Sequence, residues 1–473
     1  MIKRLIDKVF GRKGGDHPVV IAAPEHGIRR EHISHGARRV CEQLQENGYA
    51  AYVVGGAVRD LLLGVEPKDF DVATSATPEQ VHRVVRRSRL IGRRFKLVHA
   101  LFGNEVVEVS TFRAGAPDPG DAESAAQMVD EHGRVLRDNV YGTRQEDAAR
   151  RDFTVNALYY DPVAETVLDY HKGLVDLRKK TVRMIGDPAR RYREDPVRML
   201  RAVRFAARPG FHIAPKTAAP IAELAPLLSN VPAARLFEEM LKLLLSGNAA
   251  ACVLQLRTQG LHHGLLPMLD MILEQPMGER FVTLALEQTD RRILEDKPVS
   301  PAFLFAALLW HQVLSAWKQA TDRGERPIPA LHEAMDRVLD QQTDQLAIPR
   351  RFTVTMKEIW GMQPRLDANT GRRPHLLLEH PRFRAAFDFL ALRAESGEAP
   401  AELVDWWARF QVVGATEREH MLLPATAGTG TRRRRRRRPA GEAGERDTSG
   451  GNTNGGRTEP PSGSRHDNDP EAG

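Results

Sequence analysis

The stretch AYVVGGAVRDLLLGVEPKDFDVAT, residues 51–74, decides the fold. AYVV (51–54) is a run of β-branched and aromatic residues and predicts a strand, which Gly55-Gly56 breaks. AVRDLLLG (57–64) predicts a short helix closed by Gly64, and FDVAT (70–74) a second strand. Glycines between a strand and a helix let the backbone approach a phosphate, and the helix start offers free N–H groups at a positive dipole end. Arg59, on the first turn, adds a charge-assisted contact. By itself a Gly-Gly pair is most often a simple turn. In a strand alternate residues share a face, so Asp69 and Asp71 point one way while Phe70 and Val72 point into the core. Two carboxylates about 7 Å apart along a strand are costly to leave unmatched. Their natural partner is a divalent cation, and all-oxygen ligands suit Mg²⁺. A bare Asp-x-Asp also reads as an exposed strand edge; the phosphate-type turn in the same strand–helix–strand unit separates the two readings.

Outward from this unit, Ala37, Val40, Cys41 and Leu44 repeat at helical spacing between Ser34 and Asn47, and Gly48 suits a C-cap. Thr77-Pro78-Glu79-Gln80 predicts a helix start with Thr as N-cap. LVHALF (97–102) and VVEVSTF (106–112) predict further strands. Glu108 lies in the second of these. It reads equally as an edge carboxylate or as a third ligand; three carboxylates around two Mg²⁺ would let one metal activate an attacking hydroxyl and the other stabilise a leaving oxygen. Residues 114–148 predict a long loop, and RRDFTVNALYYD restarts ordered structure before a hairpin at TVLDY and the Gly173 turn. Arg150, Arg151 and Asp152 suit a grip on a triphosphate or ribose, or an ion pair at a strand start.

From Asp187 onward the patterns are helical and strand signals stop. In YREDPVRMLRAVRFAARPG, Asp195 and Pro196 suit an N-cap and first helical position. Arg198, Arg201, Arg204 and Arg208 fall on one side of that helix, and Met199, Leu200, Val203, Ala206 and Ala207 on the other. Four arginines with no balancing acid on the stripe point to an anion such as RNA, although a stripe is usually a solvated face. Asp195 with Arg198, one turn apart, makes an acceptor–donor pair for a base edge. Asn230-Val231-Pro232 opens a helix closed by Gly247, and Trp310, Trp317, Trp360, Trp406 and Trp407 are expected in the core of the helical half.

The 473 residues are enough for two or three domains. The division expected is a flexible leader (1–30), a catalytic α/β head (31–180), a helical neck binding nucleotide and RNA (181–255), a helical body (256–423) and a disordered Arg-rich tail (424–473). The formal net charge is +7; ten of the arginines stand in the last fifty residues against seven acids, leaving +4 for the rest. The seven consecutive arginines Arg432–Arg438 would tether RNA phosphates by counterion release without sequence preference. Cys41 and Cys252 are the only cysteines, so no disulfide framework or zinc signature is present, which fits a reducing cytoplasm. No apolar run is long enough for a transmembrane helix. The start, MIKRLIDKVFGRK, spaces Ile2, Leu5, Ile6, Val9 and Phe10 for weak peripheral contact with an anionic membrane, although a frayed terminus is the simpler reading.

Taken together, GGAVRDLLLG…KDFDVAT, VEVSTFR, RRDFTVNALYYD and REDPVRMLRAVRFAA resemble the class II nucleotidyltransferases, the poly(A) polymerases and CCA-adding enzymes of the polymerase-β-like superfamily. LIGRRFKLVHALF (90–102), LAIPRRFT, LLEHPRFRAAFDFLALRAE and VDWWARFQV resemble the bacterial poly(A) polymerase branch, as does the Arg-rich tail. Ala57 stands where relatives often carry a third Gly. The resemblance implies a polymerase-β-like nucleotidyltransferase head, a mostly helical body and template-independent addition of AMP from ATP to RNA 3′ ends with two Mg²⁺, serving RNA processing and decay. It implies that Gly55, Gly56 and Arg59 cradle the triphosphate, Asp69 and Asp71 bind the metal, and Glu108 completes the carboxylate set. Arg151 and Asp152 would hold the nucleotide, Asp152 being an alternative active-site carboxylate, and Asp195 and Arg198 would pair with the base. Relatives are linked to RNA-decay assemblies and RNA chaperones. A CCA-adding tRNA enzyme shares almost all these residues and is the alternative; a non-catalytic RNA-binding protein on the same fold would need a damaged metal site, and Asp69, Asp71 and Glu108 are present.

Overall fold

The computed structural model describes residues 17–92, 96–114, 140–261, 276–343, 346–367 and 371–422. Among these residues eight strands form one sheet: β1 (Val19–Ala22), β2 (Ala51–Val54), β3 (Asp71–Thr74), β4 (Ser88–Ile91), β5 (Leu97–Phe102), β6 (Glu105–Thr111), β7 (Leu158–Asp161) and β8 (Thr166–Asp169). Their order across the sheet is β1-β8-β7-β2-β3-β6-β5-β4. Only β3 and β6 pair in parallel; all other neighbours are antiparallel. The continuous apolar run of β2 is buried on both faces, as a central strand requires.

Two helices cover one face of the sheet, α1 (His35–Glu46) and α3 (Pro78–Val84); between them in sequence, α2 (Gly56–Leu62) follows β2 directly. Val40, Leu44, Val81 and Val85 join Val53, Val72, Val98, Val107 and Val109 in one buried cluster. Ser34 caps α1 by accepting from the Ala37 N–H, and Thr77 and Gln80 form the expected reciprocal box at the start of α3. The expected 51–54, 97–102 and helical 34–47 elements are therefore present, with ends shifted by at most a residue.

Several expectations are corrected. The leader is not loose throughout, because Val19–Ala22 adds to the sheet edge against β8. Only Ile21 of that strand is buried, and four residues are too few for alternation to register. β4 was not expected, for the same reason. The end of the predicted loop 114–148 is helical: α4 (Arg144–Arg150) begins inside it and runs past it, opened by a Thr143–Glu146 capping box; residues 115–139 lie outside the described residues. Past Asp187, where strands were expected to end, His212–Ile213 pairs in parallel with Thr181–Val182. Asp69 lies just before β3 rather than in it.

The helical half begins with α5 (Gly173–Arg178), α6 (Pro188–Glu194), α7 (Val197–Ala206), α8 (Ala233–Leu244) and α9 (Ala249–Thr258). It continues through α10 (Pro276–Leu294), α11 (Pro301–Asp322), α12 (Pro327–Thr343), α13 (Arg350–Leu366), α14 (Phe383–Ser396) and α15 (Ala401–Val412). Trp310, Trp360 and Trp407 are fully buried. Each indole N–H is satisfied: Trp310 donates to Glu398 at 3.1 Å, Trp360 to the Ala306 carbonyl at 3.0 Å and Trp407 to the Leu366 carbonyl at 2.8 Å. Trp317 and Trp406 are partly buried against the same cores. Among the described residues no helix is long and apolar enough to cross a membrane. The basic leader (Ile2 to Phe10) and the arginine run Arg432–Arg438 lie outside the described residues.

Candidate active site

Gly55 follows β2 as the N-cap of α2, with φ 71°, a positive φ that favours glycine. A Cβ placed on Gly55 would lie 3.4 Å from Arg151 Nη1, and one on Gly56 would lie 3.6 Å from Arg59 Nη2. The bare turn thus brings two guanidinium groups against the backbone that opens α2. Around it lies a cavity of about 520 Å³, lined by Gly55, Gly56, Arg59, Asp69, Asp71, Arg151, Asp152, Asn156, Asp195, Arg198, Arg201, Arg204, Phe205 and Lys242. That volume suits a small-molecule ligand. Residues widely separated in sequence, from β2, the approach to β3, the segment after α4, α7 and α8, meet in one wall. Glu108 and Arg208 are not part of it.

Asp71 stands at the cavity wall, reached by solvent but with protein close around it. This desolvation, then the Glu108 and Asp69 carboxylates, push its carboxyl up to about 6, against the pull of Arg151. A carboxylate raised by burial and then by like-charged neighbours is what a cation site looks like before the cation binds. The donor chemistry therefore fits a hard divalent ion held by Asp69 and Asp71. Among the described residues no group of three or more His, Cys, Asp or Glu is placed to hold a metal. A two-carboxylate site matches the habit of Mg²⁺, which takes its remaining ligands from water and substrate phosphates. Glu108 is the register partner of Asp71 on β6, is half exposed and sits 3.9 Å from His99 Nε2.

Asp152 differs. Both its oxygens are engaged: Oδ1 accepts from the Phe153 N–H at 2.7 Å and from Asn156 Nδ2 at 3.0 Å, and Oδ2 accepts from Arg201 Nε at 2.7 Å. Burial would raise its pKa, but Arg201, Asn156 and the Phe153 N–H bring it down to about 2. It is a fixed anion that positions others rather than a free reacting carboxylate. Asn156 passes the order on, accepting from Arg59 Nη1 at 2.7 Å. Arg59 also donates to Asp60 through Nε and Nη2, and burial lowers its pKa to about 10. Arg151 is held from the other side. Burial disfavours its charge, but Tyr159 and Asp147 keep it firmly protonated, with Nε 3.0 Å from Tyr159 Oη and Nη2 3.2 Å from Asp147 Oδ2.

The arginines of α7, and Arg208 just past its end, are not an unbalanced stripe. Arg198 donates to Glu194 and to the Arg191 carbonyl, Arg201 to Asp152, Arg204 to Glu239 and Arg208 to Asp60 at 2.7 Å. The balancing acids come from other elements, which a helical wheel does not display. Phe205 lies beneath three of the cations, with Arg59 and Arg204 4.8 and 4.6 Å from its ring centre and Arg201 5.8 Å away. Asp195 accepts from Arg235 through Oδ2 at 2.8 Å, while its buried Oδ1 has no partner among the described residues. Arg191 on α6 donates to the backbone carbonyls of Arg150 and, at 2.7 Å, Arg151. Asn156, Phe205, Lys242, Glu239 and Arg191 were missed in the sequence. Only the position of Asn156, in the FTVNAL block beside Arg151-Asp152, offered any signal.

A glycine turn, paired aspartates and an arginine-lined cavity between a mixed sheet and helices define a nucleotidyltransferase head joined to a helical body. Residues 51–183 match the family model described as Poly A polymerase head domain, 210–273 the probable RNA and SrmB-binding site of polymerase A, and 323–440 the polymerase A arginine-rich C-terminus. The chain belongs to the bacterial poly(A) polymerases of the tRNA nucleotidyltransferase family. It is 47% identical to poly(A) polymerase I of Salmonella typhimurium over 412 residues, 86% of this chain and 88% of that one. To the CCA-adding enzyme of Geobacillus stearothermophilus it is 38% identical over 223 residues, 47% of this chain and 52% of that one. The crystal structure of the Bacillus stearothermophilus CCA-adding enzyme in complex with CTP superimposes with a TM-score of 0.53 at 27% identity, covering 79% of this chain and 81% of the other.

Proposed function

We propose that the chain is a template-independent poly(A) polymerase that adds AMP from ATP to RNA 3′ ends, in support of RNA processing and decay. The observation that carries this reading is one cavity joining a cation-seeking pair, Asp69 and Asp71, to guanidinium groups clustered at a bare glycine turn. The near full-length similarity to poly(A) polymerase I supports adenylate addition over CCA addition.

In this reading Gly55 and Gly56 let the triphosphate approach the backbone, and Arg59 and Arg151 neutralise its charge. Asp152 and Asn156 set the positions of Arg201 and Arg59. Asp195 offers its unpartnered Oδ1 to an exocyclic amino group, and Arg198 donates to the base ring. The RNA 3′-hydroxyl attacks the α-phosphorus as its proton passes to solvent water, the bond from that phosphorus to the α,β-bridging oxygen breaks, and pyrophosphate leaves with the electron pair. Mg²⁺ bound at Asp69 and Asp71 would supply charge stabilisation to the attacking and leaving oxygens. The proposed division is head 31–180, neck 181–255 and body 256–423, with Arg201, Arg204, Arg208 and the Arg432–Arg438 run as RNA contacts. RNA-decay proteins and an RNA chaperone are the partners this role would bring.

Primer extension with each NTP separately, on generic RNA and on tRNA lacking its end, tests the reading. Long ATP-only tails on generic RNA are expected; addition of two C and one A to tRNA alone would overturn it.

A further inference from the structure

From Val81 to Asn104 the sequence holds seven Arg and Lys and no Asp or Glu. Arg83, Arg86, Arg87 and Arg89 are all exposed. Among the described residues their side chains have no hydrogen-bond or ion-pair partner. The contrast with the cavity is sharp, since Arg59, Arg151, Arg198, Arg201 and Arg204 each bond to a carboxylate. Like charges left exposed and unmatched this closely repel one another, and an external polyanion relieves the repulsion.

The sheet connects this patch to the paired aspartates. Asp71 on β3 is the register partner of Glu108 on β6, Glu108 of His99 on β5, and His99 of Arg89 on β4. Cross-strand partners leave the same face of a sheet. The four side chains therefore form one row from the candidate metal pair to the sheet edge, three strand spacings or about 14 Å long. Ile91 and Val106 lie on this face beside the row and are exposed, giving bases an apolar surface. Arg89 ends the row at the sheet edge, where among the described residues β4 pairs only with β5; Arg86 and Arg87, just ahead of β4, stand past that row at the same edge, beside Glu105.

We propose that Arg86, Arg87 and Arg89 carry phosphates of the single RNA strand a few nucleotides upstream of the 3′ end being extended, with the strand crossing the open sheet face over His99. The inference rests on the polymerase reading and deepens it. Charge complementarity and continuity with Asp71 select RNA over an acidic protein segment adding a strand to the free edge of β4.

The test uses the full chain carrying Arg86→Gln, Arg87→Gln and Arg89→Gln together, and a second version with Lys at the three positions. Binding of an RNA of about fifteen nucleotides, long enough to span a typical single-strand site, is measured across a salt series. The Gln variant should lose about 2 from the slope of log affinity against log salt, at roughly 0.7 per phosphate contact, and the Lys variant should keep the slope. AMP addition to a dinucleotide primer, too short to reach the edge, should be unchanged in both. An unchanged slope in the Gln variant overturns the proposal, including the case where that variant instead loses an acidic peptide. Equal loss in the Lys variant overturns it too, because the defect would then not be one of charge. Failure of the unaltered chain to add AMP to any RNA would strike the polymerase reading, whatever the slopes.

Discussion

Asp71 and Glu108 are direct register partners across the one parallel pairing of the sheet, so two carboxylates leave the same face on adjacent strands. Glu108 nevertheless stays out of the cavity that Asp71 lines. Its effect reaches the site through the field, as the next contribution after burial to the raised Asp71 carboxyl. Asp71→Asn or Asp69→Asn should lower kcat by at least about a thousandfold, ~4 kcal/mol of barrier, with RNA binding and melting temperature retained. Glu108→Gln should weaken divalent-ion affinity without abolishing nucleotide addition. Full activity in either aspartate variant would sink the metal assignment.

The Asp71 carboxyl also sets a pH dependence. With its pKa raised to about 6 in the metal-free protein, the proton competes with the cation below that value. Divalent affinity should hold above pH 6 and fall about tenfold per unit below it. Mn²⁺ titration followed by electron paramagnetic resonance reads this directly, and Asp71→Asn should flatten the profile. Because a raised carboxyl favours the protonated form, this group contributes stability below its unfolded pKa and loses it as pH rises through about 6.

Asp152 carries the opposite sign. Its carboxylate, held at about 2, contributes stability above the ordinary carboxylate range, lost only as pH falls toward 2. Asp152→Asn removes the charge facing Arg201 and should destabilise by about 3–5 kcal/mol, the usual loss when one partner of a buried pair is deleted. Denaturant unfolding at neutral pH measures it; a loss under 1 kcal/mol would mean the pair behaves as a surface contact.

Gly55→Ala should cost about 1–2 kcal/mol for the left-handed backbone and press the new methyl toward Arg151 Nη1, which lies at 3.4 Å. KM for ATP should rise more than kcat falls. Gly56→Ala, with ordinary 3.6 Å contact and no positive φ, should be milder. Equal effects at the two glycines would separate the turn from phosphate binding.

Removing residues 432–438 should weaken RNA binding and lower its salt slope, with little change in kcat on a short primer. An unchanged slope would leave the arginine run without a role in tethering.

Much of this was legible because β2, the glycine turn and α2 follow one another without interruption, and each carries its own local rule. Side-chain alternation puts Asp69 in a strand that it only precedes, yet it reaches the cavity all the same. What stayed hidden was non-local. Glu239 stands 35 residues from Arg204, and Asp60 148 residues from Arg208, so the α7 arginines looked uncompensated. β1 and β4, four residues each, are too short to show a period. Asn156 is a lone amide whose use depends on where Arg59 folds back to meet it.

The Arg191 clasp has a consequence for genetics. Its guanidinium holds α6 to main-chain oxygens of Arg150 and Arg151, and every residue type carries such an oxygen. No substitution at 150 or 151 deletes those acceptors, so a mutational scan would find this joint from one side only. A second-site search for suppressors of an Arg191 variant would have to look for a new donor, because on the opposing side there is no side chain to change.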